Sequence, residues 1–217
     1  MYFFFDVINK DIKMYSITDY KKLFKIDMYL NKKIFKVGYS FKVKNPFYVW
    51  YKLSKNKLNK KGISIRLSFN EDYSIPSEYR SKNSDYYKSG YDKGHMASDA
   101  SFDYDINTLS KTYLLSNVVP QKPNFNRKGW LKAERYSRIV TKKLKYLYVF
   151  NIILYGDNYI GNKVYVPTTI YKILINKKNK FLKIFKFNQT DDDTKIKDNI
   201  ITYQQLIQEV KDNKYIK

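Results

Sequence analysis

The sequence has no cysteine, one histidine and seven glycines among its 217 residues. The absence of cysteine excludes a disulfide framework, a thiolate metal site and a cysteine nucleophile. The few glycines form no phosphate-binding loop, and neither a Gly-x-Ser-x-Gly motif nor a zinc-ligand pattern occurs. Nucleotide-binding loops, serine-hydrolase chemistry and structural zinc are therefore not indicated.

Acidic residues are also scarce, because 20 Asp and Glu face 42 Lys and Arg, for a formal net charge of +22. Such an excess predicts a polyanionic partner, since neutralised phosphates release condensed counterions. A coding bias towards Lys, with only five Arg in the chain, is the alternative explanation. That bias explains the scarcity of acids less well, so nucleic acid is the favoured partner.

Long apolar runs are missing. The longest uncharged stretch, residues 146–156, is far shorter than the ~20 residues of a membrane span and indicates a buried strand. The apolar start, residues 1–8, is interrupted by Asp6 and lacks a small-residue cleavage site, so it makes a poor signal peptide. No membrane partner is expected. The sequence leaves the localisation open: the protein could be cytoplasmic, could be released by a route not visible in the sequence, or could have lost a leader.

Hydrophobic residues make up 43% of the chain, enough for the core of one domain. The patterns predict an α+β fold with a central, mostly antiparallel sheet. Residues 1–45 are expected to be an N-terminal extension that packs on a domain of residues 46–217, with a short helix over 19–26. Strands are predicted over residues 47–53, 63–69, 146–155, 164–175 and 181–187, with a turn at 176–179. Helices are predicted over 127–145, with Asn126 as N-cap, and over 203–212, capped by Thr202.

The single histidine, His95, is the only imidazole available for general-base chemistry. Its unperturbed pKa of ~6.5 allows it to take a proton from water near neutral pH. An isolated histidine is more often structural. The sequence Asp92-Lys93-Gly94-His95 that follows a strand-like entry favours a functional role.

The predicted helix after His95 concentrates rare residues. The spacings between Asn126, Glu134 and Arg138 are multiples of four residues. Each step of four residues rotates the side chain by only ~40° around the helix axis, so the three can share a broad face. The ordinary interpretation is an amphipathic helix with a Glu134–Arg138 pair worth ~0.3–0.5 kcal/mol. Against it, three of the five Arg and one of the four Glu fall within this helix.

Taken together, these motifs resemble the DNA/RNA non-specific endonuclease family, the ββα-metal (His-Me finger) nucleases. The family pattern is Asp-Arg-Gly-His, then Asn-x-x-Pro-Gln, then Asn-x-x-x-Trp with a Glu on the same helix. The corresponding residues are Asp92-Lys93-Gly94-His95, Asn117-Val118-Val119-Pro120-Gln121, Asn126, Trp130 and Glu134, with Arg138 at a further family position. Weaker similarity at residues 47–53 and 166–172 extends the resemblance to about residues 46–190.

The resemblance implies a metal-dependent endonuclease that cleaves DNA and RNA without sequence specificity and leaves 5′-phosphate ends. It implies His95 as the base that activates water, Asn126 as the direct ligand of Mg²⁺ (with Mn²⁺ as a substitute), and Glu134 as a ligand through water. Residues expected to contact nucleic acid are Arg66, Lys93, Asn117, Gln121 and Arg138. Binding through phosphates predicts inhibition by salt.

One residue departs from the family pattern, because Lys93 replaces the usual arginine. Lysine keeps the charge but loses the bidentate geometry of a guanidinium, which bears on rate more than on reaction type. Two alternatives stay open: a basic binding protein with an inactive nuclease fold, and the same nuclease used as a toxin or defence effector. An inhibitor protein, a homodimer and any preference for DNA over RNA are also left open. Other acids are interpreted as loop residues: Asp99, Asp103, Asp105, Asp191, Asp192 and Asp193.

Overall fold

The computed structural model describes residues 24–192 and 195–213. The strands in this part of the chain are β1 Met28–Asn31, β2 Phe35–Ser40, β3 Asn45–Ser54, β4 Asp92–His95, β5 Val118–Gln121, β6 Tyr146–Ile160, β7 Val164–Asn176 and β8 Phe181–Asn188. The α-helices are α1 Lys55–Leu58, α2 Asn83–Tyr86, α3 Ile106–Thr112, α4 Leu131–Leu144 and α5 Tyr203–Asp212. A π-helical turn, Phe125–Trp130, leads directly into α4. None of the described helices is long and apolar enough to cross a membrane.

Six strands form one antiparallel sheet in the order β1-β2-β3-β6-β7-β8. The α+β class and the antiparallel sheet predicted from the sequence are thus confirmed. Strands β1 and β2 lie within residues 1–45; β1 pairs with β2, and β2 pairs with β3. Most of the predicted helix over 19–26 lies outside the described residues.

The sheet is covered on both faces, which explains the long apolar runs of β6 and β7. Lys172 and Tyr171 are neighbours on β7, so their side chains point to opposite faces. On the Lys172 face, Phe185 packs against Tyr136 of α4, with ring centroids 5.6 Å apart. On the Tyr171 face, the hydroxyl of Tyr171 donates a hydrogen bond to Glu209 of α5. We call these the site face and the α5 face.

The smaller two-stranded sheet pairs β4 with β5 in antiparallel register, so that Gly94 lies opposite Val119. Together with the π turn and α4 it forms the ββα unit that the resemblance predicts. Gly94 is required here because a Cβ at this position would meet the side chain of Gln121 at 2.0 Å. The motif glycine therefore allows β4 and the Gln121 side chain to pack closely.

Two local predictions were wrong. The alternation over residues 63–69 does not form a strand, because the segment runs along the rim of a cavity with no neighbouring strand to pair with. Ile65 is 64% exposed, and Leu67 and Phe69 line the cavity. Asn126 is not an N-cap but the second residue of the π turn, where its backbone N–H donates to Lys122 O at 2.9 Å.

Candidate active site

A cavity of about 660 Å³ opens between β4 and the start of the long helix. The predicted site residues that line this one cavity span 69 positions of the chain: Arg66, Lys93, His95, Asn126 and Glu134. The other lining residues are Leu67, Phe69, Tyr86, Tyr91, Asp92, Asp99, Tyr113, Arg127 and Leu131. The ββα unit therefore assembles one polar site from separate motifs.

The backbone of His95 is tied to the helix by Trp130, whose Nε1 donates to His95 O at 2.9 Å. Its imidazole forms a triangle of rings with Phe69 and Tyr113, whose centroids are each 5.0 Å from the imidazole and 4.9 Å from each other. Its Nε2 is buried and finds no hydrogen-bond partner among the described residues. In its neutral form the imidazole carries a proton on one ring nitrogen and offers the other as an acceptor.

Burial lowers the pKa of His95 to about 4, with Asp99 opposing this effect and Arg66 adding to it. At neutral pH the imidazole is therefore uncharged, as a base must be before it takes a proton. Asp99 is held in place by the hydroxyl of Tyr113, which donates to its Oδ2 at 3.0 Å. Once His95 is protonated, the negative charge of Asp99 stabilises the imidazolium.

Asn126 is oriented by Asp92, the first residue of β4. The Asn126 Nδ2 donates to Asp92 Oδ2 at 3.0 Å, which leaves its Oδ1 as the atom available to a cation. Asp92 is in turn held by Arg127, whose Nε and Nη2 donate to its two oxygens at 2.9 and 2.8 Å. The amide thus has a fixed orientation before any ligand binds.

Glu134 lies one turn beyond Trp130 on α4. Burial raises the pKa of its carboxyl group, and the positive charges of Lys172 and Arg138 oppose that rise. The opposite shifts apply to Lys172: burial lowers its pKa, and the negative charge of Glu134 raises it. The two groups therefore stabilise each other's charged forms, which burial alone would disfavour.

The metal-ligating groups of the cavity fit a divalent cation that keeps most of its waters better than one that is enclosed by protein ligands. No group of three or more His, Asp or Glu side chains in the described part of the chain could enclose an ion. The cavity offers instead one amide oxygen, from Asn126, and the carboxylate of Glu134. Mg²⁺ prefers oxygen ligands and keeps several of its waters, which suits this sparse arrangement.

The predicted phosphate-binding residues separate into two locations. Arg66 and Lys93 line the cavity, and the Lys93 Nζ lies 5.4 Å from the ring centroid of Phe69. Burial lowers the pKa of Lys93. Arg138 instead donates from Nη1 to Ser98 Oγ at 3.4 Å and lines a neighbouring groove of about 430 Å³. Asn126 and Glu134 therefore share a cavity, whereas Arg138 lies beside it.

Asn117 and Gln121 were predicted to contact nucleic acid, and their placement does not support that role. Both side chains are fully buried. Asn117 Oδ1 accepts from Ala97 N at 2.8 Å, and its Nδ2 donates to Ala97 O and Thr112 O, both at 2.9 Å. Asn117 therefore braces the loop after His95, and Gln121 packs under Gly94.

Sequence reasoning missed three residues that shape the site. Phe69 and Tyr113 pack against the imidazole, yet they lie 26 and 18 positions away from His95 in the sequence, without any local pattern. Lys172 did carry a signal, because it is the one charged residue within the apolar run of residues 164–175. A charge in the centre of a buried strand indicates a specific partner.

Comparisons with known proteins agree with this geometry. A family model described as DNA/RNA non-specific endonuclease matches residues 18–211. Human mitochondrial Endonuclease G is 32% identical over 150 residues, which are 63% of this chain and 50% of that protein. The mitochondrial nuclease of Saccharomyces cerevisiae is 32% identical over 162 residues, 67% of this chain and 49% of that protein. Nuclease C1 of Cunninghamella echinulata is 36% identical over 120 residues, 49% of this chain and 48% of that protein.

A solved structure is also similar. It is a crystal structure of the EndoG/EndoGI complex, which describes the mechanism of EndoG inhibition. The two structures superpose with a TM-score of 0.78, and the match covers 88% of each chain at 26% sequence identity. The chain spans about half the length of the curated relatives it matches.

Proposed function

Because the chain belongs to the DNA/RNA non-specific endonuclease family, we propose that it hydrolyses phosphodiester bonds in DNA and RNA with His95 as the general base. The observation that carries this proposal is the convergence of His95, Asn126 and Glu134 on one cavity. Backbone-directed binding by a strongly basic protein gives little base specificity.

In this proposal the neutral His95 takes a proton from the attacking water at its unprotonated ring nitrogen, and Asp99 stabilises the resulting imidazolium. Lys93 and Arg66 hold the phosphate within the cavity, while Arg138 binds a more distant part of the backbone. A divalent cation, Mg²⁺ or Mn²⁺, held by Asn126 and through water by Glu134, supplies Lewis-acid stabilisation of charge at the phosphate. The products carry 5′-phosphate ends.

Regulation by an inhibitor protein is part of the same proposal. The similar solved structure is the EndoG/EndoGI complex, in which EndoG is inhibited. The chain has a formal net charge of +22, so an acidic inhibitor would bind it by charge complementarity. Use of the nuclease as a toxin or defence effector would involve the same chemistry.

The test is cleavage of supercoiled plasmid and of a structured RNA by the purified protein, with Mg²⁺ or with EDTA, followed by end-group analysis. We expect both substrates to be degraded with Mg²⁺, neither with EDTA, and the fragments to carry 5′-phosphates. Tight binding without cleavage in Mg²⁺ or Mn²⁺ would contradict the proposal and leave a basic binding protein on a nuclease fold.

A further inference from the structure

Lys172 is a fully buried lysine in the middle of β7, on the site face of the sheet. Burying an ammonium group is costly unless partners replace its hydration. Its Nζ donates to Asn151 Oδ1 at 2.9 Å, and it lies 4.1 Å from the centroid of the Trp130 ring. Glu134 adds a favourable charge interaction. The position of this ammonium group is therefore set from several directions.

Both neighbours of Lys172 reach the backbone that carries the imidazole. The Nδ2 of Asn151 donates to Met96 O at 2.8 Å, and the Nε1 of Trp130 donates to His95 O at 2.9 Å. These are two consecutive carbonyl groups at the end of β4. Two series of contacts that start from one ammonium group thus end on two consecutive peptide units.

The two series of contacts, through Trp130 and through Asn151, also lead to different structural elements around the site. Trp130 ends the π turn that carries Asn126, so its ring is part of the element that would hold the cation. Asn151 lies on β6, opposite Lys172 in the central sheet, and does not belong to the ββα unit. Lys172 is therefore located where the strand bearing His95, the helical segment bearing Asn126 and the central sheet meet.

We propose that Lys172 is a positioning residue, which fixes His95 relative to Asn126 through Trp130 on one side and Asn151 on the other. The proposal rests on the proposed function for its catalytic consequence. Lys172 does not touch the substrate; it acts through the two hydrogen bonds to the carbonyls of His95 and Met96.

The chemistry of the two contacts explains why a lysine is needed. An ammonium group only donates, so it binds the amide oxygen of Asn151 and thereby turns Nδ2 towards Met96 O. A cation over an indole face is attracted by the ring, and more strongly when both are desolvated. A methionine has similar length and volume but provides neither contact. Lys172→Met therefore removes the positioning and keeps most of the packing.

Lys186→Met provides the matched control. Lys186 lies on β8, and it pairs in register with Tyr171, so its side chain is on the α5 face. Its Nζ forms an ion pair with Glu209 at 2.7 Å. The control removes the same side chain from the adjacent strand without touching the contacts of His95.

The experiment measures kcat and KM on a DNA oligonucleotide with Mg²⁺, and records the NMR signals of the imidazole, which are unambiguous because His95 is the only histidine. For Lys172→Met we expect kcat to fall by at least ~10-fold with KM within about twofold, because a small misplacement of a catalytic group costs rate rather than binding. We also expect shifted or broadened His95 signals. For Lys186→Met we expect both readouts to match the wild type.

The proposal is overturned if Lys172→Met retains the wild-type kcat and the wild-type His95 spectrum, or if Lys186→Met produces the same changes. If Lys172→Met does not fold, Asn151→Leu removes one of the two series of contacts while keeping the ammonium, and wild-type values for that variant would also overturn the proposal. If the wild type itself cleaves nothing, the proposed function fails. The His95 spectra of the variants still test the positioning role in that case.

Discussion

On each face of the sheet, the site face and the α5 face, a strand lysine interacts with a glutamate of the covering helix, but the two pairs lie in different environments. On the site face, Lys172 is fully buried, and Glu134 is its charged neighbour. On the α5 face, Lys186 and Glu209 form an ion pair at 2.7 Å and keep 32% and 35% of their side chains exposed. The two strands are adjacent, so the difference arises from what covers each face.

The comparison separates charges that serve stability from charges that serve the site. A solvent-exposed ion pair is easily formed and contributes little, typically ~0–1 kcal/mol. A buried ammonium carries a desolvation cost that apolar packing would avoid. On the site face the desolvated ammonium contacts Trp130 and Asn151, which bond the backbone at His95 and Met96, and we therefore assign this charge to positioning of the site. The predictions below test this contrast from the largest expected effect to the smallest.

The largest effect is expected on the site face at the base. His95→Ala should lower the cleavage rate by ~10²–10⁴-fold, the usual contribution of a general base. Nucleic-acid affinity in EDTA should change little, because His95 is uncharged at neutral pH. Initial rates on plasmid and equilibrium binding of an oligonucleotide check this. Cleavage by His95→Ala within threefold of the wild type would rule out His95 as the base.

The buried imidazole should also make stability depend on pH. The unfolded state binds a proton near pH 6.5 and the folded state only near 4, so the folded state loses stability as pH falls through this window. A pKa difference of that size corresponds to on the order of 3 kcal/mol.

Urea unfolding at pH 7 and pH 4 measures this effect, with His95→Ala as the reference for the carboxylates that titrate in the same range. The wild type should lose more stability than His95→Ala between these two pH values. Equal losses in the two proteins would show that the imidazole is not protected in the fold.

A smaller effect is expected from Asn126→Ala, which removes the amide oxygen offered to the cation. Cleavage should fall by ~10–100-fold at low Mg²⁺ and recover in part at high Mg²⁺, since loss of a ligand weakens metal binding. Asn124→Ala is the matched control, because Asn124 is an exposed amide just before the π turn. Equal Mg²⁺ dependence of the two variants would place the cation elsewhere.

The smallest effect is expected on the α5 face. Glu209→Gln and Lys186→Met should each lower the free energy of unfolding by no more than ~1 kcal/mol, and the rate of cleavage should stay unchanged. Urea unfolding and initial rates check both. A loss of activity in either variant would show that the two faces are coupled, which the contrast between them excludes.

Much of the fold followed from periodicity and turn chemistry. The strands of residues 47–53, 146–155, 164–175 and 181–187 were confirmed as β3, β6, β7 and β8, the last two of which are joined by a turn at residues 177–180. The final helix begins after Thr202, whose hydroxyl accepts from Gln205 N as a cap does. These features depend on residues close together in the sequence, where local patterns are informative.

The errors arose where long-range contacts decide the structure. Residues 63–69 alternate as a strand does, but their apolar side chains face the cavity of the site and no strand lies beside them. Asn126 has the chemistry of an N-cap, but the π turn places it inside the helical segment with its amide on Asp92. For Arg138, which was predicted to share a helical face with Glu134, the local pattern did not indicate the hydrogen bond to Ser98 or the position in the neighbouring groove.

The most direct test of the account compares two curves on the same protein in Mg²⁺: the pH dependence of kcat/KM and the NMR titration of His95. Because kcat/KM reports the ionisation of the free enzyme, its acidic limb should follow the protonation of the single imidazole, with a midpoint near pH 4. Cleavage that continues unchanged after His95 is protonated, or that stops while His95 is still neutral, would contradict the claim that a buried, neutral His95 is the catalytic base.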